Sequence, residues 1–110
     1  MYYILFILNT RKGIHVMKKV LAFRLEGCPY CAQAMKAVKE LVAESENYAS
    51  VAIDWVEENE HPEISAKYDY YYVPTMFIDN KKVYEAQRGE SYEECKENVK
   101  RVLDAAASDD

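Results

Sequence analysis

Cys28-Pro29-Tyr30-Cys31 carries the most reactive side chains of the sequence. Two cysteines three residues apart at the start of a helix place both sulfurs on one face, within disulfide reach. The thiolate is the form that attacks a disulfide, and a free cysteine, with a pKa of about 8.5, is mostly protonated at neutral pH. A helix N-terminus offers unpaired N–H groups and a positive dipole end, which stabilise an anion. Cys28 is therefore expected to be the exposed nucleophile. Cys31 falls on the apolar stripe one turn later. It is expected to be shielded and to act second, attacking the mixed disulfide and releasing the reduced partner.

Zinc sites use the same spacing, but structural zinc needs four ligands, usually from two such pairs. The other candidates are Cys95, His15 and His61, none of them paired. No metal site is expected, and Cys95 reads as a buried small hydrophobe. Two alternatives stand beside the exchange chemistry: a non-enzymatic binding or sensor module, and a metal or iron–sulfur module built on the pair.

A second feature is Val73-Pro74-Thr75. Proline just before a strand removes a backbone donor. A cis bond there would turn a backbone edge toward the cysteines, and the Val73 main chain would then pair with an extended substrate. The neighbouring Tyr70, Tyr71 and Tyr72 are expected to line the groove edge and pack on the sheet. His61 reads as a cap-region residue and Glu26 as solvated.

The elements that must position these residues follow from apolar periodicity. Lys19–Leu25 is apolar almost throughout, as in a strand buried on both faces. Gly27 ends it, and Pro29 suits the first turn of a helix. Cys31, Ala34, Met35, Val38, Leu41 and Val42 recur at helical spacing to about Glu44. Ser50–Val56 reads as a second strand. Pro62 opens a short helix to about Tyr68. Thr75–Asp79 is a third strand, Asn80-Lys81 a turn and Lys82–Gln87 a fourth strand, antiparallel to the third. Ser91-Tyr92-Glu93-Glu94 fits a capping box, and Tyr92, Cys95, Val99, Val102, Leu103 and Ala106 form one helical face. The order is βαβαββα, an α/β fold with a four-stranded mixed sheet flanked by helices.

The 110 residues suit one domain, and half of them are hydrophobic, enough for a core. The net charge of −5 argues against nucleic acid as a partner. Three cysteines, one close pair and one single, fit a reducing compartment better than a secreted disulfide framework. Tyr2–Leu8 is apolar but far short of the roughly 20 residues that span a bilayer. It lacks the flanks of a signal peptide. The chain is expected to be cytoplasmic, with no membrane partner. Met17 reads as a natural start and Met1–Val16 as an extension outside the fold of residues 17–110, with an extra edge strand as the alternative.

From Met17 to about Ala106 these residues resemble the thioredoxin superfamily. Cys28-Pro29-Tyr30-Cys31 is similar to the dithiol glutaredoxin active site, and Val73-Pro74-Thr75 resembles the cis-proline loop. Asp54 through Thr75 is similar to thioredoxin's strand, helix and cis-proline segment. Gly89 falls where thioredoxins carry a glycine beside the substrate groove. The resemblance implies a thioredoxin-fold thiol–disulfide oxidoreductase with Cys28 as nucleophile, Cys31 as resolving thiol and Pro74 as the cis-proline. It further implies a substrate surface of Pro29, Tyr30, Val73, Pro74, Thr75 and Gly89. No cofactor is expected to be tightly bound. The implied partners of a monomer are disulfide-containing proteins and, as electron donor, a reductase or glutathione.

The departures are specific. Thioredoxins carry a buried Asp where Ala22 stands and a Trp where Gly27 stands. Glutaredoxins carry a basic residue where Leu25 stands, and Arg24, one place away, points to the opposite side of the strand. Of the glutaredoxin Gly-Gly pair only Gly89 is present. Glutathione, as co-substrate, and a flavin-dependent reductase both stay open as donors.

Overall fold

The computed structural model describes residues 17–108, so the expected extension Met1–Val16 lies outside the described residues. The elements are β1 (Val20–Arg24), α1 (Pro29–Glu44), α2 (Glu46–Ala49), β2 (Ile53–Glu57), α3 (Pro62–Ser65), β3 (Thr75–Ile78), β4 (Lys81–Glu85) and α4 (Tyr92–Ala107). The sheet order is β2-β1-β3-β4. β1 and β2 run parallel, and the β1–β3 and β3–β4 pairs are antiparallel. This is a thioredoxin-type α/β fold, a four-stranded mixed sheet flanked by helices, as expected. The short α2 is an addition to the expected order.

The boundaries differ locally, and each difference has a cause. The β3–β4 turn is Asp79–Asn80, not Asn80-Lys81, because these two residues take φ of 52° and 68°. Asp and Asn tolerate the left-handed region better than other non-glycine residues, and paired left-handed residues suit a two-residue hairpin loop. β2 begins at Ile53 because Val51 and Ser50 close the turn after α2, where the Val51 N–H donates to the Tyr48 carbonyl at 3.1 Å. α3 ends at Ser65, and the chain continues through turns to Tyr68.

The sheet has two differently built faces. On one, Val20, Ala22, Met76 and Ile78 meet Ala34, Ala37 and Leu41 of α1 and Cys95, Val99, Val102, Leu103 and Ala106 of α4. Small residues of α1 let that helix lie close to the strands. On the other face a smaller cluster of Phe23, Val56 and Phe77 is covered by Tyr68, Tyr70, Ile64 and Val73. The Phe23 and Tyr70 rings stack at 5.0 Å, and Tyr68 tilts against Phe77 at 4.8 Å. α4 starts at a complete capping box: the Ser91 hydroxyl accepts the Glu94 N–H at 3.1 Å, and Glu94 accepts the Ser91 N–H at 2.8 Å.

Candidate active site

β1 runs into a tight turn that delivers Cys28 to the start of α1. Gly27 takes φ +80°, a conformation that most side chains avoid. Pro29 begins the helix, where its missing N–H costs nothing. Cys28 is thus the N-cap of a 16-residue helix, and its Sγ accepts the Cys31 N–H at 3.1 Å. The sulfur occupies the place that a Ser or Asp oxygen takes in an ordinary cap.

The two cysteines differ as their positions require. Cys28 is partly exposed, whereas Cys31 is 1 % exposed. Burial pushes the Cys31 thiol up to about 12, reinforced by its hydrogen bond to Cys28, while the Leu25 backbone and the Arg24 charge act in the opposite direction. Both cysteines are free thiols, and no cluster of potential metal ligands occurs among the described residues.

The second expected feature meets the first. The Val73–Pro74 bond is cis. Cys28 Sγ lies 3.8 Å from the Val73 carbonyl oxygen, a contact between residues 45 apart in sequence. Pro74 is buried, and its carbonyl accepts the Ala86 N–H at 2.9 Å. Thr75 is fully buried, and its hydroxyl donates to the Tyr84 carbonyl at 2.9 Å. Its side chain therefore fastens β3 to β4 and does not reach the surface.

Tyr30 and Gly89, separate candidates in the sequence, meet directly. The Gly89 N–H donates to the Tyr30 hydroxyl at 2.7 Å, and Gly89 takes φ +85°. The tyrosine inside the cysteine pair is thereby tied to the loop before α4. Tyr71 and Tyr72 are the exposed members of the tyrosine run, at 84 % and 50 %. Their backbone N–H groups donate to Glu85 Oε2 at 2.5 and 2.7 Å. Tyr70 packs inward on Phe23. His61 caps α3 without a side-chain capping bond, and Glu26 is exposed. Cys95 is fully buried, and the Tyr84 hydroxyl lies 3.6 Å from its sulfur.

Two residues stand at the site that were no candidates in the sequence: Glu57, which went unnoticed, and Arg24, noted only for pointing to the opposite side of the strand. Glu57 is buried at the end of β2 and accepts the N–H groups of Glu26 at 2.9 Å, Asn59 at 2.6 Å and Glu60 at 3.2 Å. These bonds, that to Glu26 foremost, hold its carboxyl below the ordinary carboxylate value. Glu57 so fixes the turn that presents Cys28. Arg24 does lie across the strand from Leu25, but that is the α1 side, and Arg24 lines a cleft of about 280 Å³ with Cys28, Cys31 and Met35. Its parity with Ala22, whose face α1 covers, was the available signal.

Among the described residues no helix is long and apolar enough to cross a membrane. The family described as Thioredoxin domain matches residues 17–100. No curated protein matches the chain. Among solved structures it is similar to thioredoxin 1 of Thermosipho africanus, with 18 % identity and a TM-score of 0.52 over 82 % of this chain and 99 % of that one. A thioredoxin of Fasciola hepatica matches at 23 % identity and TM-score 0.53, covering 78 % of this chain and 81 % of that one. A thioredoxin-like protein from Clostridium perfringens matches at 24 % identity and TM-score 0.54, covering 86 % and 74 %. With a helix-capping cysteine pair beside a cis-proline loop and a family match across most of its length, the chain belongs to the thioredoxin-domain family.

Proposed function

We infer that the protein is a dithiol reductase of protein or low-molecular-weight disulfides, with Cys28 as nucleophile and Cys31 as resolving thiol. The observation that carries this reading is the cap geometry: Cys28 Sγ accepts an N–H at 3.1 Å at the mouth of α1, while Cys31 is buried one turn in. The thiolate is the attacking species, and this geometry leaves the Cys28 sulfur partly exposed at the helix mouth, where a substrate disulfide can reach it. The Cys28 thiolate bonds to one sulfur of the substrate disulfide, and the other sulfur leaves as a thiolate. Cys31 then bonds to Cys28 Sγ, the mixed disulfide breaks, and the second substrate sulfur leaves. The protein is left oxidised, and a donor thiol restores it. Attack by Cys28 also prepares the second step, because a Cys28 engaged in a disulfide no longer helps Cys31 to keep its proton.

Val73 fits a substrate receptor. Its N–H has no hydrogen-bond partner among the described residues, and its carbonyl faces the Cys28 sulfur. An extended peptide would pair with this stretch by strand addition, bringing its disulfide to Cys28. Pro74 sets the direction of that stretch. Pro29 and Tyr30, beside Cys28 at the start of α1, would add to the contact surface, with Gly89 holding Tyr30. Three cysteines, one of them a buried single, suit a reducing, cytoplasmic setting.

The test is trapping. Cys31→Ser should remain joined to protein substrates through Cys28, and Cys28→Ser should trap none. Alkylation of the reduced chain at neutral pH should modify Cys28 well before Cys31. Turnover of Cys31→Ser with glutathione would identify glutathione as the donor, and loss with every donor would identify a reductase serving both cysteines. Identical behaviour of the two single variants would refute the two-step mechanism.

A further inference from the structure

Beneath the cysteine pair lies a charge that the exchange chemistry above does not use. Arg24 is the last residue of β1, in register with Val20 and Ala22 on the face that α1 covers. It lines the same cleft as Cys28 and Cys31. Its Nε is buried and has no hydrogen-bond partner among the described residues. Glu57 stands opposite it across the ladder, but that carboxylate is engaged by the N–H groups of Glu26, Asn59 and Glu60. A buried donor without an acceptor is costly to keep, and a guanidinium holds its proton at any working pH. A permanent positive charge therefore shares a cleft with two sulfurs, one of which becomes negative during resolution on the dithiol reading.

We propose that Arg24 is the electrostatic positioning residue of the resolving step, stabilising the Cys31 thiolate that attacks the mixed disulfide on Cys28. The proposal rests on the dithiol reading above. In this step the Cys31 sulfur bonds to Cys28 Sγ, the bond from Cys28 Sγ to the partner sulfur breaks, and the partner leaves with the bonding pair. Solvent takes the Cys31 proton and returns one to the departing thiolate. Arg24 exchanges no proton and contributes only its field.

The groups acting on Cys31 are Cys28 at the start of α1, the Leu25 backbone and Arg24 of β1. Glu57 of β2, paired with Arg24 across the ladder, interacts with its charge, and Glu26 is exposed with its N–H turned to Glu57. β3 supplies Met76 to this core, β4 supplies Tyr84 and α4 supplies Cys95; burial holds both Tyr84 and Cys95 in the protonated, uncharged form. Once Cys28 is part of a disulfide, its own hold on the Cys31 proton is gone. The remaining contest is burial against the Leu25 backbone and the Arg24 charge.

The experiment follows the reduced full chain reacting with a chromogenic aryl disulfide, which releases one coloured thiolate on attack and a second on resolution. Arg24→Met should move the pH–rate profile of the second phase upward by about one unit, the usual effect of losing one nearby opposite charge. The thiolate population then falls about tenfold at neutral pH, but the more basic thiolate attacks about threefold faster, so the second phase slows about threefold. Arg24→Lys, which keeps the charge, should stay within about half a unit of the unaltered protein. A folded Arg24→Met with an unshifted second phase overturns the proposal, as does an Arg24→Lys shifted as far as Arg24→Met. If Arg24→Met does not fold, Arg24→His decides. Its profile should match the unaltered protein below an imidazole pKa of about 6.5 and lag above it, and a profile without that break overturns the proposal. Absence of a second phase in the unaltered chain, or its persistence in Cys31→Ser, would refute the dithiol reading itself.

Discussion

The two faces of the sheet do different work. The α1–α4 face is a close-set aliphatic core whose Cβ-sized residues, Ala34, Ala37 and Ala106, bring helices and strands together. The opposite face is a shallow aromatic cluster in which Tyr68 and Tyr70 lie over Phe23 and Phe77. The first face holds the cysteine pair, and the second supports the segment that leads into Val73 and Pro74. Close aliphatic packing thus lies under the cysteine pair, whereas the segment leading to Val73 rests on stacked and tilted rings.

Breaking the aliphatic face should have the largest effect on stability. Leu103 is fully buried among the residues of that core. Leu103→Ala should cost about 2–5 kcal/mol in a urea unfolding curve. A loss under about 1 kcal/mol would mean that this face is not the close-set core described.

The aromatic face should respond less in stability and more in recognition. Tyr70→Leu removes the stack on Phe23 and the hydroxyl bond to Glu58 at 2.5 Å, together worth about 1–2 kcal/mol. KM for a protein disulfide should rise several-fold, while the rate with a small aryl disulfide should stay near that of the unaltered chain. Equal loss with both substrates would contradict the division between the faces.

Smaller still is the cap of α4. Ser91→Ala should cost about 1 kcal/mol and leave the rate of Cys28 alkylation unchanged, because the box stabilises the helix without touching the pair. A changed alkylation rate would show that α4 and the site are coupled through the Gly89 loop.

The least of these effects is a change in the shape of the acid limb. Glu57 has its carboxyl held below the ordinary 4.5 in the folded chain. Its contribution is therefore present above that value and is lost as pH falls through the folded pKa. Glu57→Gln should flatten the stability curve on the acid side and leave the slope near neutrality unchanged. An unchanged acid limb would mean that the turn before Cys28 is held by other contacts.

The same contrast explains what the sequence made legible. β1, α1 and α4 are read correctly because apolar stripes and capping signals are local properties, and the cap position of Cys28 and the burial of Cys31 follow from α1. The Val73–Pro74 loop was legible through its place in the element order. Arg24 and Glu57 were not, because neither belongs to a local motif. Their importance arises only when parallel pairing sets Arg24 against Glu57, and a carboxylate that accepts three N–H groups from two loops looks in sequence like any surface acid. The placement of the Thr75 side chain was hidden for the complementary reason: it adjoins Pro74, but strand alternation turns its hydroxyl into the β3–β4 ladder.

The 45-residue separation of Cys28 from Val73 also bears on synthesis. Chains fold domain-wise as they emerge at about 5–20 residues per second, so some 2–9 seconds pass between the appearance of the cysteine pair and that of the loop. During that interval β1, α1 and β2 have left the ribosome while β3, the central partner of β1, has not. A nascent chain therefore carries the two thiols before it carries the carbonyl that Cys28 faces. Within the growing polypeptide the dithiol is older than the proposed docking edge, and on that proposal a chain ending before Val73 would carry the thiols without the stretch that selects their partners.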